Sequence, residues 1–219
     1  MKWLQLNWPQ ALELLWAHLA LSIPAIVLSA VIAIPVGRFA FKKPRVGGPV
    51  LSTATLLYAI PALPLLIIIP VIFGVSLRSP ITMIIALTCY GVALYVRTSA
   101  DAFGSVDRTV RDSATAMGYA PRTLFWKVDL PLAIPVLIAG LRVVSVSTIG
   151  LVTIGALIGV QNLGTLMTDG FQRGIAGEVG VGVILTVLLA LAIDALLLAI
   201  GKVLTPWTHR VKANKAVGA

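Results

Sequence analysis

Long apolar runs alternate with short polar segments along this chain of 219 residues. A helix needs roughly 20 predominantly apolar residues to cross a bilayer, and five runs match that pattern. The fourth run exceeds a straight crossing, so either it tilts or its end folds back as an irregular segment that counts as a sixth span. The pattern predicts membrane-spanning helices over residues 17–41, 50–73, 80–96, 132–158 and 181–204.

Composition supports an all-α, polytopic membrane protein. Hydrophobic residues make up 58% of the chain and charged residues only 11%, whereas soluble domains carry about 25% charged residues. We therefore expect residues 1–219 to form a single transmembrane domain, with membrane lipid as a partner. The lone cysteine, Cys89, lies in an apolar run and permits no intrachain disulfide.

The distribution of basic residues predicts the orientation. The net charge is +9, and 13 of the 17 lysines and arginines fall after the first, third and fifth spans, against three in the alternate loops. Basic loops remain in the cytoplasm, so we expect the N-terminus outside and the C-terminus in the cytoplasm. Because the basic residues cluster beside apolar spans, they do not indicate a nucleic-acid partner.

The polar segment between the third and fourth spans carries a helical pattern of its own. Val110, Ala114 and Met117 recur at near-helical spacing, which is typical of an amphipathic helix at a membrane surface. Gly118 can adopt a positive φ and end this helix. Pro121 suits the first position of a second helix. The segment therefore predicts a helix–turn–helix joined to the fourth span.

The same segment carries a motif. Its residues follow the pattern Glu-Ala-Ala, three residues, Gly, nine residues, Ile-x-Leu-Pro, with three conservative replacements. This resembles the cytoplasmic coupling loop of bacterial ATP-binding-cassette (ABC) import permeases, here at residues 97–131. The resemblance implies that the residues contacting the ATPase are Asp112, Ser113, Ala114, Gly118, Val128, Leu130 and Pro131.

The resemblance also implies a fold and a set of partners. It predicts the type I importer permease fold in the bacterial inner membrane. The partners would be ABC ATPase subunits, a second permease copy or homologue, and an extracellular substrate-binding protein. ATP and Mg would bind to the ATPase, and this subunit would bind no cofactor and catalyse no bond chemistry. The chain itself contains no Gly-x-x-x-x-Gly-Lys-Ser/Thr phosphate-binding motif.

Further segments narrow the resemblance to permeases for glycine betaine, choline and carnitine. Residues 60–66, with sequence IPALPLL, are similar to the second-span signature of those permeases, as are residues 139–142, with sequence AGLR. Residues 156–164 match a Gly-rich segment of the family, except that Gln161 and Asn162 stand where glycine is typical. Permeases for methionine and other amino acids share the same core and remain the alternative.

Closely spaced prolines in the second span predict a pathway or gate. Pro61 and Pro64 are three residues apart, hence on one helical face near mid-span. Such breaks are tolerated where water lines a cavity, or where a neighbouring helix satisfies the freed backbone groups. Both interpretations stay open. The candidate pathway or gate residues are Tyr58, Ile60, Pro61, Leu63 and Pro64.

Two charges fall deep inside predicted spans. Arg142 lies 11 residues beyond Pro131, and Asp194 lies 10 residues before Leu204, so both are roughly 15 Å into the membrane. An unpaired charge there costs at least about 2.5 kcal/mol. We therefore predict that they form a buried ion pair; a translocation role for Arg142 is the alternative, weakened because a cationic lining repels a quaternary ammonium.

Other classes of function receive less support from the sequence. An ion-coupled secondary transporter needs poised intramembrane acids, yet only Asp194 lies deep in a span and we detect no internal repeat. A scaffold that docks an ATPase without transport would share the coupling motif. His18 and His209 lie near predicted span boundaries without a second histidine or carboxylate at ligand spacing, so we expect no metal site.

Overall fold

The computed structural model describes residues 2–207, which are almost entirely helical. This confirms the predicted all-α membrane fold. The helices are α1 (Lys2–Lys42), α2 (Pro44–Ala59), α3 (Ala62–Phe73), α4 (Pro80–Gly104), α5 (Arg108–Ala116), α6 (Pro121–Leu124), α7 (Leu130–Val152), α8 (Leu163–Gln172) and α9 (Ala176–Leu204). A π-helical turn at Phe125–Asp129 joins α6 to α7, and a 3₁₀ segment at Thr153–Ile158 follows α7.

Four continuous helical stretches within these residues are long and apolar enough to cross a membrane. A fifth candidate is the pair α2–α3, which is bent by 107° and is either a broken span or a re-entrant loop. The count of four or five spans agrees with about five from the sequence. The continuous stretches are Trp3–Lys42, Pro80–Gly104, Pro121–Ile158 and Ala176–Leu204.

The second predicted span differs from the structure, since residues 50–73 are not one helix. Pro61 lacks the N–H that would continue α2, and it pushes the residue before it out of the helical region. Ile60 accordingly has φ −66° and ψ 127°, and α3 starts afresh at Ala62. The hydroxyl of Tyr90 donates a hydrogen bond to the Ile60 carbonyl at the break.

Two other boundaries also differ from the sequence-based prediction. The first helix starts at Lys2 and not at residue 17, with a local departure from helical geometry at Asn7 (φ −122°, ψ 23°). Helix α4 continues to Gly104, eight residues beyond the predicted end of the third span. It continues because Ala102 and Phe103 are buried in the protein core. The polar connection between the spans therefore starts at residue 105.

Helix α4 is the centre of the packing, with contacts to α1, α2, α3 and α7. Its glycine at position 91 lets α1 approach closely, because a Cβ atom placed there would lie only 2.7 Å from Cβ of Ser29. Small residues at such crossings are typical of membrane helices, which pack by van der Waals contact. The arrangement leaves α9 on the outside, packed on α1, α7 and α8.

His18 lies in the protein core. Its side chain is fully buried. Its Nε2 donates to the carbonyl of Ile149 at 3.1 Å, while Nδ1 accepts from the backbone N–H of Leu163 at 3.4 Å. Both bonds require the Nε2–H tautomer. His18 thus links α1 to α7 and α8, whereas His209 lies outside the described residues.

Candidate coupling surface and polar groups in the membrane

Helix α5 begins and ends through local hydrogen bonds. At its start, the carboxylate of Asp107 accepts from the backbone N–H of Thr109 at 2.8 Å, which is a standard N-cap. At its end, Gly118 adopts φ +85°, and the N–H of Tyr119 donates to the carbonyl of Ala114 at 3.1 Å. This bond satisfies a carbonyl that the helix leaves free. Pro121 then begins α6, as the sequence predicted.

From Pro121 onward, the chain enters the membrane without a break. Helix α6, the π-helical turn and α7 follow one another as one continuous helical stretch. Within the π-helical turn, Val128 and Asp129 are buried. The helical stretch is therefore uninterrupted from Pro121 to Ile158.

A buried ion pair holds α5 onto this helical stretch. Nε of Arg111 lies 2.6 Å from Oδ1 of Asp129, and the two side chains are only 18% and 8% exposed. The same guanidinium donates to the carbonyl of Phe103 at the end of α4. It also lies 4.9 Å from the ring centroid of Phe41 in α1. One side chain of α5 thus contacts α1, α4 and the π-helical turn.

Arg38 makes a second link between α1 and the π-helical turn. Its guanidinium carbon lies 3.3 Å from the ring centroid of Phe125. The ring of Phe125 also meets that of Trp126 edge-on, with 4.9 Å between centroids. Cation–π contacts of this kind stabilise by about 0.5–2 kcal/mol.

Sequence reasoning missed both partners of the Arg111–Asp129 pair. Asp129 occupies the position that the motif leaves unspecified. The pair spans 18 residues across a turn, so no helical period relates the two positions. The available signal was an acid directly before the apolar run of a span, since a carboxylate needs a basic partner once it is buried.

The predicted coupling residues separate into exposed and buried groups. Asp112, Ser113 and Gly118 are exposed, while Ala114 and Val128 are buried and Leu130 and Pro131 are half-buried. The carboxylate of Asp112 has only a solvent-exposed contact with Arg108, at 3.8 Å. A shallow groove of about 320 Å³ follows this surface, lined by Thr109, Val110, Ser113, Ala114, Met117, Tyr119, Lys127 and Val128.

This surface has the character of a docking site. Helix α5 is polar overall, yet Val110 is 42% exposed and Met117 is 70% exposed beside the groove. Exposed apolar side chains surrounded by polar ones are typical of protein–protein contact sites. Nothing within residues 2–207 covers them.

The five candidate gate residues lie together at the break between α2 and α3. Tyr58, Pro61, Leu63 and Pro64 are exposed there, and Ile60 is half-buried. The ring of Tyr58 meets that of Tyr90 edge-on, with 6.0 Å between centroids. The prediction that Pro61 and Pro64 lie on one face of a single spanning helix was wrong. Pro61 precedes α3, and Pro64 lies in the first turn of α3.

Arg142 and Asp194 meet in the structure. Nε of Arg142 donates to Oδ1 of Asp194, and Nη2 donates to Oδ2, each at 2.7 Å. The two side chains keep 33% and 25% of their surface exposed, so the pair is half-buried and not fully enclosed. It borders a groove between α7 and α9.

Metal chemistry has no support in the described part of the chain. Residues 2–207 contain no group of three or more histidine, cysteine, aspartate or glutamate side chains placed to hold a metal ion.

Comparison with known proteins yields a family match. The family described as "Binding-protein-dependent transport system inner membrane component" matches residues 25–210. The chain is 31% identical to the osmoprotectant import permease protein OsmW of Salmonella typhimurium, covering 89% of this chain and 91% of that protein. It is 29% identical to the carnitine transport permease protein OpuCD of Listeria monocytogenes, covering 94% of this chain and 88% of that protein. It is 26% identical to the choline transport system permease protein OpuBB of Bacillus subtilis, covering 94% of this chain and 93% of that protein.

Solved structures share the fold. An inward-facing form of the MetNI methionine ABC transporter matches with a TM-score of 0.79 and 23% identity, covering 89% of this chain and 95% of that chain. An amino acid ABC transporter crystallised with histidines matches with a TM-score of 0.68 and 15% identity, covering 92% and 94%. The fold is therefore that of type I ABC importer permeases.

The Arg111–Asp129 pair yields a prediction for stability. We expect Arg111→Ala to lower the free energy of unfolding by about 3–5 kcal/mol, because it leaves the Asp129 carboxylate buried without a counter-charge. The measurement is the thermal unfolding midpoint of the protein in detergent micelles. Arg108→Ala, one helical turn away on α5, removes only an exposed pair and should cost less than about 1 kcal/mol. Equal effects of the two substitutions would contradict this prediction.

Proposed function

The chain belongs to the family of inner-membrane components of binding-protein-dependent transport systems, and we propose that it is the permease subunit of an ATP-driven importer for quaternary ammonium osmoprotectants. The observation that carries the proposal is the coupling segment. An exposed docking surface on α5 is tied by a buried ion pair to a helix that enters the membrane without interruption.

The roles of the coupling residues follow from their exposure. Exposed Asp112 and Ser113 are proposed to contact the ATPase directly, and Gly118 sets the turn that presents them. Buried Ala114 and Val128 hold α5 against the π-helical turn. Leu130 and Pro131 begin α7, so force applied at α5 reaches the membrane. ATP and Mg bind to the ATPase in this proposal, and the present subunit is not an enzyme.

The other proposed partners lie in and outside the membrane. The basic-residue asymmetry favours an external N-terminus and a cytoplasmic C-terminus, which places α5 in the cytoplasm. A second permease subunit, identical or homologous, would complete the pathway. Two related carnitine permease proteins of Listeria monocytogenes, OpuCB and OpuCD, support a paired arrangement. An extracellular binding protein would deliver the substrate.

The names of the related proteins favour the osmoprotectant class, since they specify carnitine transport, choline transport and osmoprotectant import. Methionine or another amino acid is the second candidate. The likeness to the methionine transporter, at 23% identity, bears on the fold alone.

Transport by the reconstituted complex tests this function. Proteoliposomes would contain the subunit with its ATPase and binding protein, with and without internal ATP. We expect ATP-dependent uptake of glycine betaine, carnitine or choline. Uptake of methionine alone would keep the importer and overturn the substrate class. Uptake driven by an ion gradient without ATP would overturn the coupling mechanism.

The docking surface on α5 gives a sharper test. Ser113→Trp places a bulky ring in the groove, and overfilling a packed contact costs about 1–3 kcal/mol. We therefore expect ATP-driven uptake and ATPase co-purification to fall about tenfold or more, while a surface change of this kind leaves stability within about 0.5 kcal/mol. Thr55→Trp, at an exposed position on α2 outside the coupling segment, is the control. A loss as large in the control would refute the assignment of this face.

The break between α2 and α3 is the proposed gate. In a Cys89→Ser background, Leu63→Cys and Pro64→Cys should react with an aqueous thiol reagent in at least one nucleotide state. Leu66→Cys, at a position only 3% exposed, should stay unreactive. If neither exposed position reacts in any state, the translocation path lies elsewhere.

A further inference from the structure

The Arg142–Asp194 pair lies near the middle of the membrane. Helix α7 begins at Leu130 and α9 ends at Leu204. At 1.5 Å per residue, the two charges therefore lie about 15–18 Å along their helices from the same side. At this depth, charged side chains face the bundle interior or a water-filled cavity and avoid lipid. Because both side chains stay partly exposed, the groove they border faces water or another subunit.

The pair leaves hydrogen-bond donors unused. A guanidinium carries five N–H groups, and Asp194 accepts from one on Nε and one on Nη2. The other three N–H groups of Arg142 have no acceptor within residues 2–207. Pairing with Asp194 cancels the net charge, so the site does not repel a cation. Arg142 nevertheless retains N–H groups that can bind a carboxylate in the geometry that guanidinium favours.

The rest of the groove suits a methylated ammonium group. Its volume is about 420 Å³, and Ala139, Val143 and Val146 form an apolar wall beside Arg142 and the hydroxyl of Ser147. A trimethylammonium group has no N–H to donate, so apolar contacts to its methyl groups leave no hydrogen bond unsatisfied. Proteins often recognise quaternary ammonium groups with aromatic rings, and the described lining of this groove contains none. Recognition would therefore act on the other end of the ligand, its carboxylate.

We propose that Arg142 binds the carboxylate of a zwitterionic quaternary ammonium osmolyte as it crosses the membrane, with Asp194 as the positioning residue. This proposal rests on the importer function proposed above. It assigns part of the substrate selectivity to the permease. Osmolytes with a carboxylate, such as glycine betaine and carnitine, gain a contact that choline lacks.

The double substitution Arg142→Gln with Asp194→Asn removes the site without leaving a buried charge unpaired. We expect the ratio of glycine betaine uptake to choline uptake to fall about tenfold or more. Only glycine betaine loses charge-assisted hydrogen bonds to its carboxylate, and the loss of such bonds has an effect of this size. Leu188→Ala, on an exposed part of α9 outside the groove, should keep the wild-type ratio. An unchanged ratio, or equal loss for both substrates, would show that the pair is only structural and would overturn the proposal.

A labelling experiment tests the site with the ion pair intact. In a Cys89→Ser background, Val143→Cys should react with a charged thiol reagent. Glycine betaine at about twice its Kd should slow the reaction about threefold by simple occupancy, whereas choline at the same concentration should not. Val187→Cys on α9, exposed outside the groove, should show no protection. Inertness of Val143→Cys in every nucleotide state, or equal protection by both compounds, would overturn the proposal.

Different results would show failure of the proposed importer function and failure of the Arg142 assignment. If the wild-type complex shows no ATP-dependent uptake of any osmolyte, the proposed function fails, and this site fails with it. If the wild-type complex transports osmolytes while the double variant keeps the wild-type ratio, only the assignment of Arg142 fails.

Discussion

Inside a bilayer no water is available to satisfy polar groups, and this constraint governs the whole fold. The chain breaks its second span at Pro61, and the Tyr90 hydroxyl donates to the Ile60 carbonyl at the break. The ring of His18 donates to the carbonyl of Ile149 and accepts from the N–H of Leu163, which links α1 to α7 and α8. At both places a side chain from another helix satisfies a backbone group.

The coupling segment meets the same constraint at the membrane boundary. Asp129 lies where the chain enters the apolar region, and its carboxylate is buried with Arg111 as counter-ion. Because this arginine belongs to α5, the group that neutralises the buried charge also fixes the docking helix to α7. Arg38 adds a contact between α1 and Phe125. These side chains hold α1, α4, α5 and the π-helical turn together, and the exposed residues of α5 are left free for the proposed contact with an ATPase.

The features that sequence predicted are the local ones. Apolar length identified the spans, while Gly118 and Pro121 encode a turn through their own backbone preferences. Pro61 signalled a disturbance, but the 107° bend depends on packing against α4. The Arg111–Asp129 pair joins positions that no periodicity relates, so it could not be read from spacing. For Arg142 and Asp194, depth alone argued for pairing, whereas their partial exposure depends on how α7 and α9 pack.

Helix α7 connects the two polar centres of the molecule. It continues from the π-helical turn that carries Asp129, and it holds Arg142 about 18 Å further along. Helix α9 holds Asp194 and packs on α1, α7 and α8. We propose that a displacement of α5 reaches α7 through the Arg111–Asp129 contact and is carried along that helix to Arg142, while Asp194 is held by different neighbours. Both hydrogen bonds of the pair measure 2.7 Å, so a small shift of α7 against α9 changes their geometry. In this proposal, the Arg142–Asp194 pair is the charged contact between α7 and α9 whose geometry changes when the coupling helix moves.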